Sequence, residues 1–256
     1  MKLSPIKTRR LLPPKDSFID ALCEGLSHIP EQSVIALSSK AVAIGEGRCV
    51  PVSPDTDVRA LKDSLAQKDS EFFVPRENIS SGQFTIIHGT LMSSAGIDES
   101  NGNNHLILWP EDPMRAAREY RVMLKERYGV SDLGVIVVDS HSVPLRNGAV
   151  GITIGYAGFL PVRDYRGAAD LFGRAFKFER FNAADSLAVA ATIVMGEGAE
   201  STPAALIEDI PLSTFTDIDD IPEDPFLQLT VSREQDYFQM FLRTVPWQKG
   251  GGGYHM

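Results

Sequence analysis

The spacing of apolar residues changes character along the chain, and each change predicts an element. Behind Asp16-Ser17, Phe18, Ala21, Leu22 and Leu26 recur at three- and four-residue intervals and predict a short capped helix. The run Val34-Ile35-Ala36-Leu37 predicts a buried strand, followed by Ser38-Ser39-Lys40 and a glycine-bearing loop, Gly45-Glu46-Gly47-Arg48. Thr56 to Lys68 is helix-like and polar, whereas Phe84 to His88 and His105 to Leu108 read as short strands. The small, polar residues Ser94 to Asn104 between them form a loop.

The clearest periodicity runs from Pro113 to Tyr128, where Met114, Ala117, Tyr120, Leu124 and Tyr128 share one helical face. Asp112 suits the N-cap, Pro113 the first helical position and Gly129 the stop. Gly134 to Val138 is β-branched and does not alternate, as expected of a strand covered on both faces, and it delivers Asp139-Ser140-His141 at its end. After a glycine-punctuated stretch from Gly148 to Phe159, Phe176, Phe178 and Phe181 alternate with Lys177 and Arg180 and read as a strand. Asn182, with Asp185 three residues on, caps a second strong helix that ends at Met195-Gly196. Beyond Pro211 the acidic run Asp217 to Asp224 reads as a solvated linker, and Ser232 with Gln235 as a capping box for a terminal helix bearing Phe238, Phe241 and Leu242. The predicted organisation is an α+β domain over residues 1–215, with room for two subdomains, a linker and helix over 216–249, and a flexible tail over 250–256.

Composition narrows the function classes. The 256 residues carry 25 Lys plus Arg against 34 Asp plus Glu, a net charge of −9, which excludes a general binder of nucleic acid or anionic membranes. A local exception lies between Asp139 and Arg180, where six basic residues face four acidic ones. Two cysteines provide no disulfide framework, the basic N-terminus lacks the apolar core of a signal peptide, and no apolar run approaches membrane-spanning length. The expected location is the cytoplasm.

The common phosphate-loop, dinucleotide, zinc-protease and serine-hydrolase signatures are absent, and the five histidines lack metal-ligand spacing. Carboxylates are then the candidate metal ligands. Asp98 sits in the small-residue loop, Asp139 at a buried strand's end, and Glu197 just past a helix C-terminus. A carboxylate in that last place faces the negative end of the helix dipole and is disfavoured by roughly 0.3–1 kcal/mol unless a cation compensates. Hard oxygen ligands of this kind suit Mg²⁺ or Mn²⁺; pairing of each carboxylate with an arginine is the competing reading.

The segments Ser39 to Arg48, Ala95 to Asn101, Val138-Asp139-Ser140 with Pro144 to Gly148, and Met195 to Gly198 follow the order found in the γ-glutamyl ligases of deazaflavin coenzyme (factor-420) biosynthesis, and the chain resembles that family from about Leu11 to Pro211. The resemblance implies an unusual α+β fold of mixed sheets and helices, an intertwined homodimer, and a GTP-dependent ligase that adds L-glutamate to a carboxylate acceptor through an acyl phosphate. ATP is the alternative nucleotide. It places the metal on Asp98, Asp139 and Glu197, with K⁺ a further candidate ion. Ser39, Lys40, Asn101, Ser140 and Gly198 would bind the nucleotide, and Asp139 and Arg146 would act in catalysis, with Lys40 and Arg174 as further anion clamps. The stretch Asp139-Ser140-His141-Ser142, with Pro144-Leu145-Arg146, Asp164 to Gly167 and Leu171 to Arg174, is similar to a bacterial subgroup linked to folate metabolism. A folate is therefore the expected acceptor and a factor-420 precursor the alternative. A nucleotide-binding protein without turnover is the reading from another class.

Overall fold

A five-stranded mixed sheet carries the fold, and its central strands are the apolar runs that the sequence marks as buried. The computed structural model describes residues 1–75, 82–211, 215–216, 222, 224 and 227–252. In chain order the first elements are β1 (Lys2–Ile6), α1 (Phe18–Gly25), β2 (Ser33–Ser38), α2 (Ser39–Glu46), β3 (Cys49–Pro51), α3 (Val58–Asp69), β4 (Phe72–Phe73), β5 (Phe84–Ile87) and β6 (Thr90–Ser93). A single 3₁₀ turn (Ser94–Gly96) and β7 (His105–Ile107) follow. The remainder comprises α4 (Pro113–Tyr128), β8 (Leu133–Ser142), β9 (Ala149–Ala157), β10 (Val162–Asp164), β11 (Arg180–Asn182), α5 (Ala183–Met195), β12 (Ala204–Glu208), α6 (Gln239–Leu242) and β13 (Gln248–Lys249). The fold is α+β, as the resemblance implied.

The main sheet has the order β1-β12-β2-β8-β9, with β2 and β8 parallel and the other neighbours antiparallel. Because side chains alternate across a strand, β2 and β8 feed two cores. Ile35, Leu37, Val135 and Val137 pack with α1, α2 and α4, while Val34, Ala36, Ile136 and Val138 pack with the small face of α5, Ala184, Leu187, Ala188 and Ala191. Both faces are covered, which is why these strands read as unbroken apolar runs.

Helix α4 has the bounds that its periodicity predicts: the Asp112 carboxylate accepts from the Arg115 N–H at 2.9 Å, and Gly129 closes it at φ 68°. Asn182 caps α5 through the Asp185 N–H in the same way. Other expectations are corrected. The predicted loop after β2 is the helix α2, because Ala41 to Ile44 supply a buried apolar turn and left-handed Gly47 ends it. Of the stretch from Phe176 to Phe181 only Arg180 and Phe181 join a strand, and Phe178 is exposed. The capped terminal helix shrinks to the four residues of α6. Most of the acidic run from Asp217 lies outside the described residues.

A four-stranded sheet, β13-β4-β5-β6, stands beside the main one, and β3 pairs with β7. The expected frayed tail is held in its described part. Gly250, Gly251 and Gly252 donate their N–H groups to the carbonyls of Glu71, Gln67 and Ser70 at the end of α3, each at 2.9 Å, an approach that a side chain would block. Among the described residues, no helix is long and apolar enough to cross a membrane.

Candidate active site

The C-terminal ends of β2 and α5 and the Val138–Ser140 part of β8 open into one cleft of about 880 Å³, closed by the loop from Ser93 to Asn103 and by residues 8–12. Strand β8 continues to Ser142 in its pairing with β9, so Asp139 lies within the strand and not at its end as expected. Ser39, Lys40, Asp98, Asn101, Asp139, Ser140, Glu197 and Gly198 all line it. Four stretches of sequence, from Ser39 to Gly198, therefore meet, and the parallel register of β2 and β8 explains part of this. Ser38 stands opposite Val138, so the next residues, Ser39 and Asp139, are neighbours.

Asp139 is gripped from the protein side. Ser39 Oγ donates to Oδ1 at 2.9 Å, and the indole Nε1 of Trp109 donates to Oδ2. Burial pushes the Asp139 carboxyl up to about 6, against the pull of the Trp109 and Ser39 donors. Asp98 is fixed by its backbone, which exchanges two hydrogen bonds with Ile107 at 3.0 and 2.7 Å. Its Oδ2 lies 2.7 Å from Lys40 Nζ, while the Ser100 N–H and hydroxyl donate to its two oxygens. Burial raises the Asp98 carboxyl, but Lys40 and Ser100 together outweigh it and the net shift is downward. Glu197 follows Gly196, the residue that ends α5 at φ 76°, and accepts from Ser140 Oγ at 2.6 Å. Asn101 Nδ2 donates to the Gly198 carbonyl at 3.1 Å and ties the Asp98 loop to the Glu197 loop.

These carboxylates share a cleft without forming a closed cage. Among the described residues, no three His, Cys, Asp or Glu side chains converge closely enough to hold an ion by themselves. An open set of this kind still fits a hard divalent cation, since Mg²⁺ is ordinarily held by one or two carboxylates and completed by water and phosphate oxygens.

Arg146 and Arg174 lie outside the cleft. Arg146 is in the turn of the β8–β9 hairpin, and Arg174 in a turn closed by the bridge between Ala169 and Ala175. The basic residues of the cleft besides Lys40 are Arg9, Arg10 and Lys62, which sequence reasoning missed. Arg9 forks onto Asp16 at 2.7 and 2.9 Å and holds that carboxyl at about 2. The Arg10 and Lys62 side chains line the cleft and make no ion pair among the described residues. The available signal was the run Lys7-Thr8-Arg9-Arg10, whose basic character bears on an anion as well as on targeting.

Comparison with known proteins gives a consistent result. The model of the family described as F420-0:Gamma-glutamyl ligase matches residues 6–209. A Methanopyrus kandleri protein named coenzyme F420:L-glutamate ligase is 33% identical over 226 residues, covering 82% of this chain and 87% of its own. A protein of the same name from Methanothermobacter thermautotrophicus is 35% identical over 207 residues, with 75% and 81% covered. One from Methanocaldococcus jannaschii is 40% identical over 120 residues, about half of each chain.

Proposed function

The chain belongs to the F420-0:gamma-glutamyl ligase family, amino-acid ligases that form C–N bonds, and we propose that it joins L-glutamate to the carboxylate of a factor-420 precursor. The names of the relatives support this acceptor over the folate expected from the sequence. The observation that carries the reading is the convergence of Asp98, Asp139, Glu197 and Lys40 on one cleft that also exposes Arg10 and Lys62.

A carboxylate is a poor electrophile, so amide formation needs a leaving group. In the proposed reaction an acceptor oxygen attacks the γ-phosphorus of GTP, with ATP as the alternative, and GDP departs. The glutamate amine then attacks the acyl phosphate, and inorganic phosphate leaves with the acceptor oxygen. Asp98, Asp139 and Glu197 would hold Mg²⁺ or Mn²⁺, which offsets phosphate charge during transfer. Lys40 stands beside this charge from the start of α2, and Ser39 and Ser140 orient the acids. Arg10 and Lys62 provide cations for the carboxylates of glutamate and the acceptor. Asn101 and Gly198 keep the two acidic loops at a fixed separation.

Mass spectrometry of reactions with each nucleotide and each acceptor tests this reading. A glutamyl increment on the factor-420 precursor is expected, and an increment confined to folate would overturn the acceptor assignment. Arg146 enters the proposal through the homodimer, as a residue delivered to the cleft of a second copy. Mixing the Asp139→Asn and Arg146→Ala chains should then recover activity that neither shows alone, and mixtures as inactive as the separate variants would remove Arg146 from the site.

A further inference from the structure

We propose that Trp109 is a positioning residue, which sets the orientation of the Asp139 carboxylate and thereby the affinity of the cleft for a divalent cation. The inference rests on the reading of Asp139 as a ligand, given above. Trp109 lies two residues past the end of β7, is 2% exposed, and donates its indole N–H to Oδ2 of Asp139. A buried indole N–H needs an acceptor, and a backbone carbonyl would satisfy packing alone. Here the acceptor is instead a carboxylate on the wall of the cleft.

The ring itself is fixed from several directions. Gly96 lies against it so closely that a Cβ at that position would come within 1.8 Å of Nε1 and 2.3 Å of Cδ1. The His88 imidazole stacks on it at 6.3 Å between centroids and 14° between planes. Arg48 Nε donates to the Trp109 carbonyl at 3.0 Å and fixes the backbone below. Ser39 donates to Oδ1 and Trp109 to Oδ2, and the Ser140 N–H is a further donor to the same carboxylate. A carboxylate has about four lone-pair sites, so the side-chain donors on its two oxygens fix its plane while acceptor capacity remains for the cleft. Partners of this kind orient metal ligands, and their loss ordinarily weakens metal binding by about 10–100-fold.

The test is Mn²⁺ binding to the full chain in the presence of a non-hydrolysable GTP analogue, read from the electron paramagnetic resonance signal of the free ion. The variants are Asp139→Asn, Trp109→Phe, and β-(3-benzothienyl)alanine at position 109, which keeps the shape of tryptophan and replaces the N–H by sulfur. Trp247→Phe, whose indole donates to the Leu242 carbonyl, is the control. Loss of binding in Asp139→Asn, with the dissociation constant raised roughly 10–100-fold in both Trp109 variants and unchanged in the control, is the expected result. If Trp109→Phe fails to fold, the isosteric variant decides alone. Asp139→Asn weakening binding while the isosteric variant binds like the parent would overturn the role of Trp109. Unchanged binding in Asp139→Asn would overturn the ligand assignment first, and the inference with it.

Discussion

Lys40 Nζ lies 2.7 Å from Asp98 Oδ2 although the two residues are 58 positions apart, and the same ammonium donates to the Ser100 carbonyl and hydroxyl at 3.1 and 2.8 Å. One side chain from α2 thus organises the acidic loop opposite it. Lys40→Met should lower kcat/KM by roughly 100-fold, equivalent to about 2.7 kcal/mol at the transition state. Global stability should fall by less than about 1 kcal/mol, since both groups are partly exposed. The folded Asp98 carboxyl is depressed, so its small contribution to stability is present at neutral pH and is lost as pH falls through the folded value. Urea denaturation of the parent and the variant across the acid range checks this, with the gap between them closing toward low pH.

Asp139 shows the opposite linkage. Its folded value is about 6, above the ordinary 3.8, so the native state binds the extra proton and stability declines as pH rises between these values. Asp139→Asn removes that cost. The variant should be inactive, and above pH 6 in the absence of cation more stable than the parent by up to about 3 kcal/mol. Equal stabilities at pH 5 and pH 8 would contradict the assignment of the shift to burial.

Two glycines provide a matched pair. Gly96 has φ 68° and no room for a Cβ beside Trp109, whereas Gly148 has φ 88° and nothing within 4 Å of that position. Gly148→Ala should cost about 1–2 kcal/mol, the conformational term alone. Gly96→Ala adds overpacking of about 1–3 kcal/mol and should also weaken Mn²⁺ binding, because Trp109 must move. Thermal unfolding and Mn²⁺ titration of both variants separate the two terms.

Arg10 and Lys62 are assigned to ligand carboxylates, so Arg10→Ala should raise KM for glutamate or for the acceptor about tenfold while leaving kcat within a few-fold. A fall in kcat with KM unchanged would move Arg10 to the reacting phosphate.

Much of the fold was legible because local signals agreed with tertiary demands. Asp112, Pro113 and Gly129 bound α4 correctly since cap chemistry and periodicity select the same residues. The loop expected after Leu37 failed because Ser39, Lys40 and two glycines conceal a helix stabilised by burial of Ala41 to Ile44 against neighbouring elements. Asp98 stood out in its small-residue loop, Asp139 at the expected end of a buried strand and Glu197 just past a helix, and all three line the cleft, although β8 runs on through Asp139 to Ser142. Trp109 could not be read as part of the site, since its one polar atom finds Asp139 through a contact between residues 30 apart. Arg146 and Arg174 show the converse: arginines near the motifs in sequence lie outside the cleft, Arg146 because β8 carries the chain away into a hairpin and Arg174 because it sits in the separate turn between β10 and β11.

The most direct measurement follows oxygen-18 from the acceptor carboxylate during a reaction with L-glutamate, GTP and Mg²⁺. The proposed chemistry predicts one glutamyl addition to the factor-420 precursor, with one labelled oxygen appearing in inorganic phosphate, and neither event in Asp139→Asn. Glutamyl addition with unlabelled phosphate would contradict the acyl-phosphate route, and failure of the parent protein to add glutamate to this acceptor would contradict the central claim.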